Sequence, residues 1–455
     1  MSRHHFGLVS LLVLSAACGS SQLGRSLSAA SALALSKVEP KITDVLSEEG
    51  KATIVVRLAE RADLQGGAAG DWKARGRWAV DTLRGVADRS QAPILSYLYA
   101  NSALRKASGI EPLWICNCLV VTADEDTIAS LAERAEVKSI RANQEIKVYL
   151  EPAGEVSLGA ADTVEWNIAK IRANDVWNDF GITGNGVTVG TLDTGVNWQH
   201  PALINAYRGW DGTTADHNYN WFDAVDGARA PLDGAGHGTH TTGTMVGSEG
   251  PNQIGVAPGA RWIAARMISS GSTWVVAAHR AFQWMIAPTD LDGNNPNPDL
   301  RPAVVNNSWG CASFVPGCSN FEEFRDDVDA WIAAGIFPEF SAGNEGPGAS
   351  SMRWPASYAE SFSTGATTQS DSIAGFSSRG PGRDGTIKPE VSAPGEGVRS
   401  SIGSGYGMMS GTSMAGPHVV GLVALLFGSQ SQSEHRRSDE RHGVHRRPAG
   451  LSHPE

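Results

Sequence analysis

Three short segments carry side chains that could together perform nucleophilic catalysis. They are, in chain order, GTLDTGV at 190–196, GHGTH at 236–240 and SGTSMA at 410–415. A serine hydroxyl is a weak nucleophile at neutral pH, so Ser413 would need a base to take its proton, and His237 can be that base. The other ring nitrogen of the base must be held by an acceptor, which suits Asp193. Small flanking residues leave the reactive atoms accessible, so the segments predict hydrolysis through a covalent acyl intermediate.

The order Asp, His, Ser, with the neighbours of each intact, resembles the subtilase family of serine proteases. One such segment occurs by chance in many chains, whereas three in this order almost never do. The likeness runs from about residue 166 to 427 and is strongest to the bacillopeptidase F group. The segments that carry this second likeness are WNI at 166–168, NYNWFD at 218–223, NSWG at 307–310 and FSSRGP at 376–381.

The residues that would stabilise the transition state are suggested by the same resemblance. Asn344, within SAGNEG at 341–346, looks like the subtilase oxyanion residue, whose amide donates to charge that develops only in the transition state. Ser413 begins a predicted helix over 414–427, so its own N–H would face the oxyanion with the positive end of the helix dipole.

Substrate contacts are predicted by resemblance alone. Ser308, Trp309 and Gly310 match the backbone segment that pairs with substrate in subtilases, and Gly343 and Glu345 lie beside the oxyanion residue. Glu345 would then stand at the rim of the specificity pocket and favour basic side chains. His240 and His418, close in sequence to the base and the nucleophile, are interpreted as structural histidines.

The predicted hydrolysis requires no cofactor, and no metal ligands are predicted. Many subtilases place a calcium-ligating acid just after a His-Pro pair, but here His200-Pro201 is followed by Ala202. The usual strong calcium site is therefore doubtful, although other oxygen-rich loops could bind a hard cation. The cysteines lack the second matched pair of a zinc site.

Composition restricts the partners. The 455 residues carry a formal net charge of -11, which argues against a nucleic-acid partner. The expected partners are a protein or peptide substrate and the chain's own propeptide as inhibitor. Apart from the extreme N-terminus, no apolar run reaches the roughly 20 residues that a spanning helix needs.

Residues 1–18 are typical of a secretory signal peptide, with a basic start, an apolar core and small residues before Cys18. Ala17-Cys18 also resembles a bacterial lipoprotein cleavage site, although Ser15 stands where that pattern prefers Leu. Secretion and lipid anchoring at the cell envelope through Cys18 both remain open. In an exported protein Cys311 and Cys318, which flank a short loop, can form a disulfide.

Residues 37–150 indicate a small α+β unit. Strands are predicted at 52–58, 113–121 and from 137, with helices at about 71–106 and 127–132. This order looks like the ferredoxin-like inhibitor I9 propeptide of subtilases, which assists folding and inhibits the enzyme. An unrelated α+β domain is the alternative. Residues 151–165, rich in Gly, Pro, Ala and Ser, are predicted to be a linker with the processing site.

Residues 166–427 alternate strand and helix patterns, which predicts an α/β fold with a mostly parallel sheet covered by helices on both faces. The resemblance identifies it as the three-layer subtilisin-like peptidase domain. In such sheets ligands bind beyond the carboxyl ends of the strands. Asp193 ends one predicted strand, at 186–192, and Asn344 follows another, at 336–341.

Residues 428–455 depart from this pattern. They are dense in Arg and His without periodicity, and we interpret them as a truncated or frame-shifted end or as a solvated extension. The function expected from the whole sequence is a secreted, self-processing serine endopeptidase. The alternative is a catalytically silent or poorly folded homologue that acts as a binding protein.

Overall fold

The structure, a computed structural model, describes most of the chain between residues 31 and 441. The described ranges are 31–67, 70–148, 150–152, 154, 156–157, 159, 161–311, 318 and 322–441, with side chains to 430. The predicted signal segment with Cys18 and residues 442–455 lie outside them.

Packing divides the chain into two compact units that do not follow a single sequence boundary. Unit 1 comprises Met1–Ala59, Gln91–Glu111 and Leu119–Ala142. Unit 2 comprises Glu60–Ser90, Pro112–Cys118 and Asn143–Glu455. The segments 60–90 and 112–118, which the sequence assigns to the propeptide-like region, therefore pack with the larger unit.

The elements up to residue 142 form the α+β arrangement that the sequence predicts. They are α1 Ala32–Lys37, α2 Lys41–Glu49, β1 Ala52–Leu58, α3 Trp72–Ala103, β2 Ala107–Leu113, β3 Cys118–Ala123, α4 Glu125–Ala132 and β4 Val137–Ala142. The strands form one sheet in the order β2-β3-β1-β4, with β1 and β4 antiparallel. The Asp124 side chain caps α4 by accepting from the N–H of Thr127 at 2.9 Å.

The strand predicted over residues 113–121 is wrong in its first half. The chain turns between β2 and β3, and Asn117 has a φ of 46°, in the left-handed region that Asn tolerates better than most residues. Cys116 and Cys118, two positions apart in the predicted strand, lie on either side of this turn residue. Both are buried, and they form no disulfide with each other.

Unit 2 contains the remaining elements. The first are β5 Glu145–Lys147, β6 Val156–Ser157, α5 Trp166–Lys170, α6 Ala173–Phe180, β7 Thr188–Asp193, β8 Trp221–Asp223, α7 His237–Val246, β9 Ser248–Glu249, β10 Asn252–Gln253, β11 Arg261–Arg266 and β12 Ser272–Trp274. The others are α8 Val275–Ile286, β13 Val304–Asn307, α9 Arg325–Ala334, β14 Phe337–Ser341, β15 Phe362–Thr367, β16 Val391–Pro394, β17 Val398–Ile402, β18 Gly405–Met409 and α10 Thr412–Arg441. Short 3-10 turns occupy Ile204–Ala206 and Pro298–Leu300.

A seven-stranded sheet in the order β16-β15-β14-β13-β7-β11-β8 is the frame of unit 2. Every neighbouring pair in it is parallel, from β16 with β15 to β11 with β8. Such strands are buried on both faces, and accordingly all of β13 and every residue of β7 after Thr188 are buried. The predicted α/β fold class is confirmed.

Helices cover both faces of this sheet, as two consecutive residues of β14 show. Glu339 lies against α10, where a Cβ on Gly416 would come within 2.5 Å of its carboxylate. Phe340 packs on Trp309, which in turn contacts Phe282 of α8. Because successive strand residues point to opposite faces, α10 and α8 lie on opposite sides of the sheet.

Helix α10 is the one described helix long and apolar enough, by length and composition, to cross a membrane. Its apolar window, Thr412–Gln430, is 78% buried within the protein, as in the core helix of a globular domain. Leu422 and Leu426 on its outer side are 48% and 57% exposed. The helix continues to Arg441, past the end expected at Phe427, because elongation adds a hydrogen bond per residue and no Pro or Gly interrupts 429–441.

Candidate active site

Asp193 is the last residue of β7, at the carboxyl end of a central strand, and it is fully buried. One carboxylate oxygen, Oδ1, accepts from the backbone N–H of Thr194 at 2.7 Å and lies 2.7 Å from Nδ1 of His237. The strand end therefore fixes the carboxylate, and the carboxylate fixes the imidazole.

His237 is the first residue of α7, where Gly236 caps the helix with a φ of 80°. Gly238 must also be glycine, because a Cβ there would lie 2.1 Å from the carbonyl oxygen of Gly195. This is the close backbone approach that the small neighbours of the histidine predict, and it brings α7 against the end of β7.

Asp233 is a supporting residue that sequence reasoning missed. Its Oδ1 accepts from the hydroxyl of Thr194 at 2.9 Å and from the N–H of Gly236 at 2.8 Å. Its Oδ2 accepts from the N–H and the hydroxyl of Thr239. One carboxylate thus ties the loop after Asp193 to the first turn of the base helix, and its position four residues before His237 was the only sequence signal.

Ser413 lies in the first turn of α10, where backbone N–H groups have no intrahelical partner. Pro417 falls in the second turn of the helix and lacks the N–H that would bond the carbonyl of Ser413. The hydroxyl of Ser308 supplies that bond instead, at 2.9 Å. The proline therefore leaves a carbonyl through which Ser308 holds the start of the helix.

Asn344 follows β14, and the hydrogen bonds of its side-chain oxygen orient its amide group. Its Oδ1 accepts from the N–H of Thr412 at 2.9 Å and from its hydroxyl at 3.0 Å, so Nδ2 must point away from α10 into the centre. Gly343 before it has a φ of 110°, which a residue with a side chain rarely adopts.

Glu151 joins all of these groups, and sequence reasoning did not single it out. Its Oε1 accepts from the hydroxyl of Ser413 at 2.8 Å and from Nδ2 of Asn344 at 2.6 Å. Its Oε2 lies 2.8 Å from Nε2 of His237. One carboxylate is therefore bound at once by the imidazole, the hydroxyl and the side-chain amide.

Glu151 reaches the centre from an extended segment. β5 pairs antiparallel with β12, and the N–H of Val148 continues the ladder to the carbonyl of Gly271 at 2.9 Å. An extended chain laid along an enzyme strand is a common way to bind peptides. The segment before Glu151 therefore lies as a bound peptide would.

The three ionisable groups of the centre are tightly coupled. Burial alone would lower the pKa of His237, but the Asp193 and Glu151 carboxylates raise it well above the ordinary value. Burial alone would raise the pKa of Glu151, but hydrogen bonding and attraction to His237, with the bond from Ser413, lower it. The raised pKa favours the protonated imidazole beside Glu151.

The residues predicted to contact substrate differ in how much of their side chains a substrate could reach. Trp309 is 1% exposed and packs in an aromatic cluster, so its side chain is enclosed and only its backbone is left for a substrate. Gly310 and Gly343 both pack against Arg353, whose Nε donates to both carboxylate oxygens of Glu345 at 2.8–2.9 Å. The guanidinium offsets the negative charge through which Glu345 would favour basic side chains.

The two neighbouring histidines are buried and bonded to fixed partners, as a structural role requires. His240 Nε2 lies 3.1 Å from the carbonyls of Val398 and Gly407, and burial lowers its pKa to about 3. His418 bonds Asn167 and the carbonyl of Met414, and burial lowers its pKa to about 4.

The calcium position that the family implies after the His-Pro pair does not fit this chain. Ala202 is buried and its methyl group offers no oxygen, while His200 Nε2 is bonded to the carbonyl of Gly405. Hard cations need several oxygen ligands. No step below depends on calcium.

Comparison with known proteins gives one consistent family. Residues 184–440 match the profile described as the subtilase family, peptidase S8. Bacillopeptidase F of Bacillus subtilis (strain 168) is 41% identical over 406 residues, which is 85% of this chain and 28% of the relative. M-protease of Shouchella clausii (strain KSM-K16) is 34% identical over 281 residues, 61% of this chain and 63% of the relative. Subtilisin Savinase of Lederbergia lenta is 34% identical over 269 residues, 58% of this chain and 85% of the relative.

The chain spans less than a third of bacillopeptidase F and just under two thirds of M-protease. The predicted likeness to the bacillopeptidase F group is confirmed, and the parallel sheet with its helical layers agrees with it. The chain belongs to the subtilase family.

Proposed function

We propose that this protein is a serine endopeptidase that hydrolyses peptide bonds of proteins through Asp193, His237 and Ser413. The observation that carries the proposal is the Glu151 carboxylate, which is bound at once by His237, Ser413 and Asn344. A site that binds a carboxylate through a base, a hydroxyl and an amide donor has the groups that acyl transfer to water requires.

Each group has one task in the proposed reaction. Nε2 of His237 takes the proton of Ser413 as Oγ attacks the peptide carbonyl, and Asp193 stabilises the imidazolium that forms. The carbonyl oxygen becomes an oxyanion between Nδ2 of Asn344 and the N–H of Ser413. The imidazolium then gives its proton to the leaving amine, and water, activated by His237, hydrolyses the acyl-enzyme. These steps use side chains alone and need no cofactor.

The chain as described is a latent precursor in this proposal. Glu151 occupies the position of the reacting carbonyl, and a charged His237 cannot accept the proton of Ser413. Residues 37–150 would act as inhibitor until the chain cleaves itself within the linker 151–165. The extended segment from β5 to Val148 supports this, because it delivers the linker to the centre along β12.

We propose export for the protein, as a secreted enzyme or one anchored through Cys18. Cys311 and Cys318 form a disulfide with a Cα separation of 5.4 Å. Disulfides persist mainly in oxidising compartments, which agrees with the predicted signal segment. Lysates and culture medium, assayed separately with and without detergent extraction of the membrane, distinguish secretion from anchoring.

Replacement of the nucleophile tests the function. We expect Ser413→Ala to remain a single uncleaved chain and to lower peptide hydrolysis by about 10⁶-fold, the figure known for subtilisin's own nucleophile. Ser429→Ala, the same change later on the same helix, is the matched control and should process normally. A purified Ser413→Ala protein that still separates into two fragments would refute self-processing.

A catalytically silent binding protein is the competing function, since Glu151 closes the centre in the described state. A serine-directed fluorophosphonate separates the two. An active peptidase is labelled at Ser413 after processing, whereas a silent homologue stays unlabelled even when the N-terminal part has been removed by another protease.

A further inference from the structure

A second buried cluster of reactive side chains lies away from the proposed active site. Cys116, His279 and Asp327 come from three separate parts of the chain, and one ligand atom of each lies within 4.8 Å of the others. Their residues are 5%, 0% and 0% exposed. Thiol, imidazole and carboxylate are the three ligand types that zinc takes in proteins.

The turn that carries Cys116 is held in place over α8. The backbone N–H groups of Trp114 and Ile115 both donate to Oε1 of Gln283, at 2.8 and 3.3 Å. Gln283 lies four residues after His279, so both side chains stand on one face of the helix. Asn117, at the turn, donates to the carbonyl of Glu60 at 2.9 Å. Cys116 is therefore positioned by several bonds rather than by packing alone.

The imidazole of His279 has a different partner on each nitrogen. Nδ1 lies 2.9–3.0 Å from the two carboxylate oxygens of Asp327, and Nε2 lies 3.2 Å from Oε1 of Glu323. In protein metal sites the ring nitrogen that does not bind the metal usually donates to a carboxylate, which fixes the tautomer. Glu323 is placed for that second role.

Without a metal, the ring of His279 lies between the carboxylates of Asp327 and Glu323. The thiol of Cys116 lies in the same cluster, with its sulfur within 4.8 Å of ligand atoms of His279 and Asp327. A divalent cation would use all three groups, because it replaces the ring proton and the thiol proton together.

We propose that Cys116, His279 and Asp327 bind a zinc ion. Binding releases the Nδ1 proton and the thiol proton to solvent. His279 keeps its Nε2 proton and donates it to Glu323. Both oxygens of Asp327 lie 2.9–3.0 Å from Nδ1, so this carboxylate must move aside to admit the ion and then bind it through one oxygen.

The ion would join the turn between β2 and β3 to helices α8 and α9 within unit 2. A metal bound only by the folded chain stabilises the fold by its binding free energy. The expected consequence is a more stable attachment of the segment 112–118 within unit 2, and it is independent of turnover at Ser413.

The test uses the full chain with Ser413→Ala, which prevents self-cleavage, purified without chelator. We expect about one zinc ion per chain by elemental analysis, and a melting temperature that a chelator lowers and added zinc restores. Adding Cys116→Ser should abolish zinc binding, and Glu323→Gln should weaken it by about 10–100-fold. Asp326→Asn, one residue before the proposed ligand, is the matched control and should keep the metal.

Cobalt provides a readout that does not depend on a variant that may misfold. Co²⁺ bound by the Ser413→Ala chain should show the near-ultraviolet charge-transfer band of a cobalt–thiolate bond. Adding Cys116→Ser to that chain should remove the band. Zinc-free protein whose melting and cobalt spectrum do not respond to metal would overturn the proposal, and so would a folded Cys116→Ser chain with undiminished zinc.

Discussion

Two buried histidines in this protein have nearly the same neighbours. In each, Nδ1 faces an aspartate and Nε2 faces a glutamate, at 2.7–3.2 Å, and each ring is at most 1% exposed. In each, carboxylates raise the pKa of the ring against the effect of burial. The two sets are Asp193, His237 and Glu151, and Asp327, His279 and Glu323.

What separates the two sets is how the glutamate is held and what lies beside it. Glu151 belongs to an extended linker segment and shares its carboxylate with Ser413 and Asn344. Glu323 lies two residues before α9, which also carries Asp327. If the linker is cleaved and Glu151 leaves, His237 remains as a base beside Ser413. Glu323 lies close to α9 in the chain and stays beside His279. The role of each histidine therefore depends on whether its glutamate can leave.

The largest effect on this comparison should come from Asn344, which binds the Glu151 carboxylate beside the first set. We expect Asn344→Ala to lower kcat of the processed enzyme by about 10²–10³-fold with little change in KM, the loss known for subtilisin's own oxyanion asparagine. Asn344 donates chiefly to charge that develops in the transition state, so substrate binding should survive. Steady-state kinetics on a peptide substrate measures both constants, and an unchanged kcat would remove Asn344 from the mechanism.

Removing the Glu151 carboxylate from His237 and Ser413 should make Ser413 more reactive in the precursor. We expect the Glu151→Ala precursor to react with a fluorophosphonate about tenfold faster or more than the unaltered precursor, since each charge-assisted bond contributes about 1.5–3 kcal/mol. Glu48→Ala, an exposed change in α2, is the control. Equal labelling rates for the two variants would show that Glu151 does not block Ser413.

The pH dependence of the fluorophosphonate labelling rate should differ between the unaltered precursor and the Glu151→Ala precursor. Glu151 is one of two carboxylates that raise the pKa of His237, so its removal should move the midpoint of the rate profile towards acid. In both proteins the rate should fall on acidification, because a protonated ring cannot take the serine proton. A profile flat down to about pH 4 would contradict His237 as the base.

The stability of the precursor should change in the corresponding direction. Because the pKa of His237 is raised on folding, its contribution is fully present below the ordinary value of about 6.5 and is lost as pH rises through the raised value. Melting of the Ser413→Ala precursor with and without Glu151→Ala should therefore differ most in acid to neutral solution and converge in alkali.

The smallest effect should come from Glu339, a fully buried carboxylate in β14. Burial raises the pKa of Glu339 to about 8, and neither oxygen of its carboxylate has a hydrogen-bond partner among the described residues. Folding is therefore favoured by this group below about pH 4.5, and the contribution declines until pH passes 8. We expect Glu339→Gln to have little effect at pH 5 and to stabilise by about 1 kcal/mol or more at pH 9, measured by denaturant unfolding. Equal differences at both values would contradict the raised pKa.

Much of the fold could be read from the sequence because its signals are local. Apolar runs that end in Asp193 or before Asn344 predict buried parallel strands, and the structure has β7 and β14 there. The strand predicted over 113–121 was wrong because Asn117 adopts a left-handed backbone conformation, and a run of apolar neighbours conceals such a turn. The end of α10 was also misplaced, because helix elongation tolerates a polar sequence.

The sequence by itself determined the family, the α/β fold and the identity of the four residues proposed for catalysis, because motif and neighbours lie within a few positions of one another. Only the tertiary structure decided what fills the centre and what surrounds His279. Glu151 lies 262 residues from Ser413, and Cys116 more than 150 from His279. Such pairs meet because strands, turns and helices pack together in three dimensions, and no local periodicity records that meeting.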